Sequence, residues 1–179
     1  MDLFNYQPRR SHEVHIGNKP LGGQQPLRLQ SMTTTLTTDT EASVAQCIAI
    51  IEAGADYVRL TTQGVREAEN LRSIREALHR RGFDTPLVAD VHFNPKVADV
   101  AAGIVEKVRI NPGNYVDPAR TFKELEYTDE EYAAELGRLE DRFVQFLDIC
   151  RAHGTAVRIG VNHGSLSDRI MCRYGDTPA

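Results

Sequence analysis

The sequence predicts an α/β fold, a partial (β/α)8 TIM barrel of about five βα units preceded by an N-terminal β-hairpin. Short apolar stretches alternate with amphipathic stretches along most of the 179 residues, a pattern typical of parallel βαβ units. A complete barrel has about eight units in roughly 250 residues, so five units amount to roughly five-eighths of one. A doubly wound sheet uses the same units and remains the alternative at this stage.

The chain is predicted to divide near residue 26. Residues 1–26 are an N-terminal extension with a hairpin in EVHIGNKPLGG, because the glycines of this stretch suit turns. Residues 27–179 are the first part of the barrel domain, and the first strand is predicted in PLRLQSM.

Two helices and two strands follow. Residues 40–52 and 66–82 each repeat apolar side chains three and four positions apart, which predicts helices with one buried face. Glycines end both helices, as is common at helix C-termini. The strands DYVRLTT and PLVADVHF each follow one of the helices.

The later units show capping signals. Asn94 and Pro95 are predicted as the N-cap and first residue of a short helix that precedes the strand VEKVRI. After a long connection, Thr128 and Glu131 have the spacing of a capping box, and Gly154 is predicted to stop that helix. TAVRIGVN is the fifth strand, and SLSDRIMCRY begins another helix. The predicted apolar stripe of the long helix is Leu136, Leu139, Phe143, Phe146, Leu147 and Cys150.

Polar side chains occupy one face of the second to fifth strands. Strand side chains alternate with period two, so YVRLT, KVRIN and AVRIGVN each separate an arginine from the apolar residues beside it. The apolar face suits the outer helices, so the polar face points into the barrel near the strand C-termini, where barrels bind ligands. The inward set is Arg59, Asp90, His92, Asn94, Arg109, Asn111, Arg158 and Asn162.

This set predicts an anionic ligand. Three guanidiniums face one inward carboxylate, Asp90, and removing a charge from water costs several kcal/mol unless it is compensated. The planar fork of arginine suits phosphate or carboxylate. A single arginine of this kind more often pairs with a glutamate elsewhere, whereas three at equivalent strand positions favour a ligand.

Composition excludes several function classes. The net charge of -4 gives no reason to expect nucleic acid or an anionic membrane as a partner. No apolar run has the length of a signal peptide or a membrane span, so the predicted location is cytoplasmic. Three cysteines without paired spacing fit a reducing compartment, and no metal site is assigned to them. Asp90 and His92 point the same way and are the candidate acid and base.

The stretches LQSMTTT, ADYVRLTTQG, LVADVHFNP, VRINPGN, VRIGVNHGSLSDRI and RYGDTP together carry a resemblance. In order and spacing they resemble the N-terminal barrel of the 4-hydroxy-3-methylbut-2-enyl diphosphate synthase family of the non-mevalonate isoprenoid pathway. The resemblance implies reductive opening of 2-C-methyl-D-erythritol 2,4-cyclodiphosphate. It also implies a [4Fe-4S] cluster that receives electrons from ferredoxin or flavodoxin.

The same resemblance assigns roles to residues. It implies that Arg59, Arg109, Asn111, Arg158 and Asn162 hold the diphosphate. Asn94 and Ser165 join this substrate-binding set, with Thr33 as a further carry-over. Asp90 and His92 are the implied catalytic pair, for substrate orientation and proton handling.

The chain also departs from the family pattern. The family's cluster ligands, three cysteines and a glutamate, belong to a C-terminal domain that is expected to be absent here, so the fragment is expected to bind no cluster and to be inactive. Exposed edges at the first and fifth strands predict self-association into a homo-oligomer. Two other functions stay open: a cluster-free phosphate- or pterin-binding barrel synthase or aldolase, and a non-catalytic oligomerising domain.

Overall fold

The computed structural model describes residues 5, 9–92, 94–117 and 124–175, and strands alternate with helices throughout this part. The strands are β1 (Gln30–Met32), β2 (Tyr57–Thr62), β3 (Leu87–Val91), β4 (Lys107–Ile110) and β5 (Ala156–Ile159). The helices are α1 (Thr40–Glu52), α2 (Val65–Arg80), α3 (Pro95–Ala102), α4 (Asp129–His153) and α5 (Asp168–Tyr174). Short 3-10 turns follow β4 at Pro112–Asn114 and β5 at His163–Ser165.

The strands form one parallel sheet in the order β1-β2-β3-β4-β5. In a doubly wound sheet the order reverses at a switch point, whereas in a barrel wall each strand adds beside the previous one. The sequential order therefore confirms the partial barrel and removes the doubly wound alternative.

The predicted helix signals are confirmed. The Asn94 side chain caps α3 by accepting the Lys96 N–H at 3.0 Å. Thr128 and Glu131 form the capping box of α4, and Gly154 ends α4 in the left-handed conformation with a φ of 67°. These local signals fix where each helix starts and stops, and so where each strand begins.

The main core lies between the helices and the outer face of the sheet. Val58, Leu60 and Val108 are buried there, together with Phe146 and Cys150 from α4. The predicted stripe of α4 is wrong at two positions, because Leu136 and Leu147 are exposed. The stripe runs along a helix of 25 residues, and only part of it packs against α3 and the sheet.

A second, smaller core closes the N-terminal end of the inner face, which is the face that carries Tyr57 and Arg59. Ile16 is buried against Tyr57 and Val88, and the Tyr57 hydroxyl donates to the main-chain carbonyl of Lys19. The predicted hairpin is reduced to one antiparallel bridge, Val14 to Leu21. The N-terminal segment therefore plugs the base of the barrel wall.

The two edges of the sheet are apolar and uncovered. The predicted first strand is shorter than expected, because Leu27 is 95% exposed and the strand begins at Gln30. On β5, Ile159 and the following Val161 were expected to face outer helices, but both are exposed. β5 has no strand beyond it in the described chain to extend the wall. None of the helices in the described part combines the length and hydrophobicity that a membrane crossing requires.

Candidate functional site

Asp90 is the centre of the polar inner face. It is buried on β3, and Arg109 stands beside it on β4 in the strand register. Its Oδ1 lies 3.2 Å from Arg109 Nη1, and its Oδ2 lies 3.4 Å from Arg59 Nε and 3.4 Å from His92 Nε2. The structure thus brings together Arg59, Asp90, His92 and Arg109, as alternation predicts. With both oxygens engaged, Asp90 acts as a counter-ion that orients its neighbours.

Arg109 is held by a close approach to the backbone of the next strand. Its Nη2 donates to the carbonyl of Gly160 at 2.7 Å. A Cβ added at Gly160 would lie 2.1 Å from Arg109 Nε and 2.9 Å from Cζ. Position 160 therefore requires glycine so that the guanidinium can lie flat over the chain after β5.

Two further cations on this face lack a carboxylate partner. Arg158 stands beside Arg109 in the register of β4 and β5, and like charges in this position repel. Lys107 is 7% exposed, and its ammonium lies 5.0 Å from the centre of the Tyr57 ring. Burial lowers the pKa of Lys107, and the charges of Arg158 and Arg59 lower it further. Within the described residues no ion pair joins either cation to a carboxylate.

Sequence reasoning missed Lys107, although a signal was present. The residue precedes Arg109 by two positions, so the same alternation places it on the inner face. The strand VEKVRI is predicted from its apolar residues, and for this reason the inward set does not include Lys107.

The asparagines after β3, β4 and β5 share one local geometry. In each, the side-chain Oδ1 accepts the main-chain N–H two positions later, which is an Asx turn. The distances are 3.0 Å for Asn94, 3.1 Å for Asn111 and 3.1 Å for Asn162. Because the oxygens are used by the turn, the amide nitrogens remain as the outward donors. The nitrogen of Asn111 donates to Ser165 Oγ at 2.6 Å.

The remaining predicted residues lie at strand ends. Asn94 and Asn162 are exposed, and Thr33 is buried after β1 with its hydroxyl unpartnered within the described residues. That these groups bind substrate stays a prediction, because the geometry brings them to the same end of the sheet without a ligand to contact.

The cysteines do not fit an iron-sulfur cluster. Cys47 and Cys150 are buried on different helices, and burial raises their thiol pKa to about 12 and about 11, which disfavours the thiolates that bind iron. Cys172 lies exposed on α5. Within the described residues, no group of three His, Cys, Asp or Glu side chains is placed to hold a metal ion.

Comparison with known proteins agrees with the resemblance drawn from the sequence. The chain is 70% identical over 178 residues to the 4-hydroxy-3-methylbut-2-en-1-yl diphosphate synthase (flavodoxin) of Phocaeicola vulgatus, covering 99% of this chain and 29% of that protein. The protein of the same name from Bacteroides fragilis is 71% identical over 178 residues, covering 99% of this chain and 28% of that protein. The chain thus spans under a third of the length of these relatives.

Among solved structures, a dihydropteroate synthase of Xanthomonas albilineans aligns with a TM-score of 0.48 at 18% identity, over 89% of this chain and 69% of that chain. A likeness of this size bears on neither fold nor function. The family comparison is far more extensive, since residues 11–179 match the family described as the GcpE TIM-barrel domain. Together with the parallel sheet in sequential order, this match shows that the chain belongs to the GcpE TIM-barrel domain family.

Proposed function

We propose that this chain is the substrate-binding barrel portion of a reductive synthase. The complete enzyme converts 2-C-methyl-D-erythritol 2,4-cyclodiphosphate to 4-hydroxy-3-methylbut-2-enyl diphosphate in isoprenoid biosynthesis. The names of the relatives support this reaction over a cluster-free pterin or aldolase barrel. The observation that carries the proposal is the surplus of positive charge on the inner face.

That surplus requires a counter-ion. Arg59 and Arg109 share one buried carboxylate, Asp90, while Arg158 and Lys107 have no ion pair within the described residues. Burying a cation such as Lys107 without a partner costs several kcal/mol, whereas Arg158 is exposed and accessible to a ligand. A diphosphate offers several anionic oxygens, and charge-assisted hydrogen bonds to them are about twice as strong as neutral ones. Binding such a ligand would recover the cost.

Each predicted residue then has a role. The guanidiniums of Arg59, Arg109 and Arg158 donate to the diphosphate, while Asp90 holds the first two in place. We assign His92, whose imidazole lies beside Asp90, to substrate orientation and proton handling. The amide donors that complete the substrate-binding set lie at the strand ends with one hydroxyl: Asn94, Asn111, Asn162 and Ser165.

The redox chemistry belongs outside this chain. A [4Fe-4S] cluster supplies the electrons in the enzymes that the chain resembles. The described cysteines do not fit it, and we propose that its ligands come from another part of the enzyme. The relatives' names specify flavodoxin, and we propose flavodoxin as the donor, with the reaction in the cytoplasm. The barrel's part in the reaction is to bind and orient the diphosphate.

We also propose that the isolated chain self-associates. β1 and β5 are both unpaired edges of the described sheet, and apolar side chains flank them. Such edges pair readily with other strands. Sedimentation at micromolar concentration should show a dimer or larger species, and a clean monomer would contradict this.

Calorimetric titration of the cyclic diphosphate into the full-length synthase tests the binding site. Replacing Arg109 by Ala should weaken binding about a hundredfold, since it removes a charge-assisted fork. Arg75→Ala is the matched control, because Arg75 pairs with Glu106 at the opposite end of the sheet. This control should bind within about twofold of the parent enzyme. Unchanged binding in Arg109→Ala would refute the proposed site.

A further inference from the structure

Two segments at the C-terminal end of the sheet carry the outermost predicted ligands. The β4 segment, residues 111–117, begins with Asn111, and the β5 segment, residues 161–169, contains Asn162 and Ser165. The two segments are joined through the hydrogen bond from Asn111 Nδ2 to Ser165 Oγ, at 2.6 Å, and Gly113 lies against Leu166, since a Cβ added at Gly113 would be 3.0 Å from Leu166 Cδ2. Neither contact involves the far ends of the segments, so these ends need an attachment of their own.

A buried ion pair provides that attachment. Asp117, 7% exposed, ends the β4 segment, and Arg169, 4% exposed, ends the β5 segment. Asp117 Oδ2 accepts Arg169 Nε at 3.1 Å and Nη2 at 2.9 Å, and it also accepts the Ser167 hydroxyl at 3.0 Å. The carboxylate thus binds two residues of the β5 segment through one oxygen.

Helix α4 fixes the pair from a third side. The Arg169 guanidinium carbon lies 5.1 Å from the centre of the Tyr132 ring, and Arg138 Nη2 lies 3.7 Å from Asp117 Oδ1. Asp117 and Arg169 are therefore both held against helix α4. Because each residue ends one of the two segments, these contacts also fix the positions of the segment ends.

The ion pair of Asp117 and Arg169 contributes little net stability to the fold. Buried ion pairs pay a desolvation cost that an apolar pair of similar size would avoid. Here the cost is not fully recovered, because Arg169 Nη1 is buried without a hydrogen-bond partner among the described residues. What the ion pair of Asp117 and Arg169 provides instead is a fixed orientation of the two segments.

We propose that Asp117 and Arg169 are positioning residues for the diphosphate site. They hold the β4 and β5 segments at the spacing that lets Asn111, Asn162 and Ser165 contact the ligand together. Neither residue touches the ligand. The inference rests on the proposed function, since it assumes that these segments bind the diphosphate.

The test is a binding and double-mutant experiment on the full-length synthase with the cyclic diphosphate. Asp117→Asn keeps the shape and removes the charge, and it should raise Kd about tenfold, as a displaced binding group does. Arg169→Lys, which keeps the charge and loses the fork, should give a smaller rise and serves if Asp117→Asn folds poorly. Glu106→Gln is the control, because it breaks a partly exposed carboxylate–arginine pair at the opposite end of the sheet, and its Kd should stay within about twofold of the parent.

A positioning role also predicts coupling. If Asp117 acts through Asn162, then Asn162→Ala should weaken binding less in the Asp117→Asn background than in the parent enzyme. Independent, multiplying effects would overturn the proposal. So would a Kd for both Asp117→Asn and Arg169→Lys that stays within about twofold of the parent.

Arg109→Ala separates this proposal from the proposed function. Weak binding in Arg109→Ala with normal binding in Asp117→Asn and Arg169→Lys refutes the positioning pair alone. Normal binding in all of these variants refutes the diphosphate site itself, and the positioning role with it.

Discussion

The two ends of the sheet balance their charges in different ways. At the N-terminal end, Asp56 accepts the Leu29 N–H at 2.9 Å and pairs with Lys19 and Arg28, each at 3.4 Å. At the same end, Glu106 accepts the Leu87 N–H at 2.9 Å and pairs with Arg75 at 2.8 Å. Both of these carboxylates are matched by a main-chain donor and at least one cation.

At the C-terminal end the inner face has more cations than carboxylates. Asp90 is shared by Arg59, Arg109 and His92, and Arg158 stands beside Arg109 without an ion pair in the described chain. A balanced end stabilises the fold by itself, whereas an end with surplus charge is completed by a ligand. The contrast yields separate predictions for the two ends.

Breaking the balanced end should affect stability and leave binding intact. Glu106→Gln should lower the free energy of unfolding by about 1 kcal/mol, because Arg75 loses its partner and a half-buried acceptor becomes neutral. Urea denaturation measures the loss. Affinity for the cyclic diphosphate should stay within about twofold, and a large fall in affinity would show that the two ends are not separate.

Disturbing the surplus end through Gly160 should weaken binding more than Glu106→Gln does. In Gly160→Ala the new methyl meets the Arg109 guanidinium, which is the end of a flexible side chain and can shift without moving the backbone. Diphosphate binding should weaken about tenfold, and the free energy of unfolding should fall by about 1 kcal/mol, because the displaced guanidinium loses its hydrogen bond to the Gly160 carbonyl.

Gly137→Ala is the matched control for this substitution. A Cβ at Gly137 on α4 meets nothing within 4 Å, so alanine there should stabilise the helix by about 0.5 kcal/mol and leave binding unchanged. Parent-like affinity in Gly160→Ala would show that the position of the Arg109 guanidinium does not matter for binding.

Local chemistry explains how much of this could be predicted from the sequence. The bounds of α1, the N-cap at Asn94 and the capping box at Thr128 each depend on a few neighbouring residues, and all three are confirmed. The inward direction of Arg59 and Arg109 follows from the pleat of a strand, which has a fixed period of two.

Contacts between distant segments could not be predicted in this way. The plug formed by Ile16 and the pair of Asp117 with Arg169 join residues that no local pattern relates. The exposure of Ile159 depends on which elements pack against β5, and the alternation of apolar residues along the strand does not reveal them. Which charged side chains pair with one another depends on the tertiary structure. Strand alternation therefore predicts which residues lie on the inner face, but not which of them form ion pairs.

Lys107 lies at the start of β4, on the same face as Arg109. Lys107→Met removes a buried charge and keeps a flexible side chain against Tyr57, so at neutral pH it should stabilise the unliganded chain by about 1 kcal/mol. Its affinity for the diphosphate should fall at the same time, because the surplus charge is smaller. A loss of stability at pH 7 would show that the contact with Tyr57 outweighs the cost of burying the ammonium.

The gain from Lys107→Met should depend on pH. Burial lowers the pKa of Lys107 from its ordinary 10.5, so as the pH rises the folded chain releases this proton before the unfolded chain does. The unfolded state then binds more protons, and the parent gains stability with pH across the interval between the lowered pKa and 10.5. The advantage of Lys107→Met should therefore be full at neutral pH and shrink through that interval, as urea denaturation at a series of pH values would show. An advantage that stays constant up to pH 10.5 would mean that the charge of Lys107 is not its source.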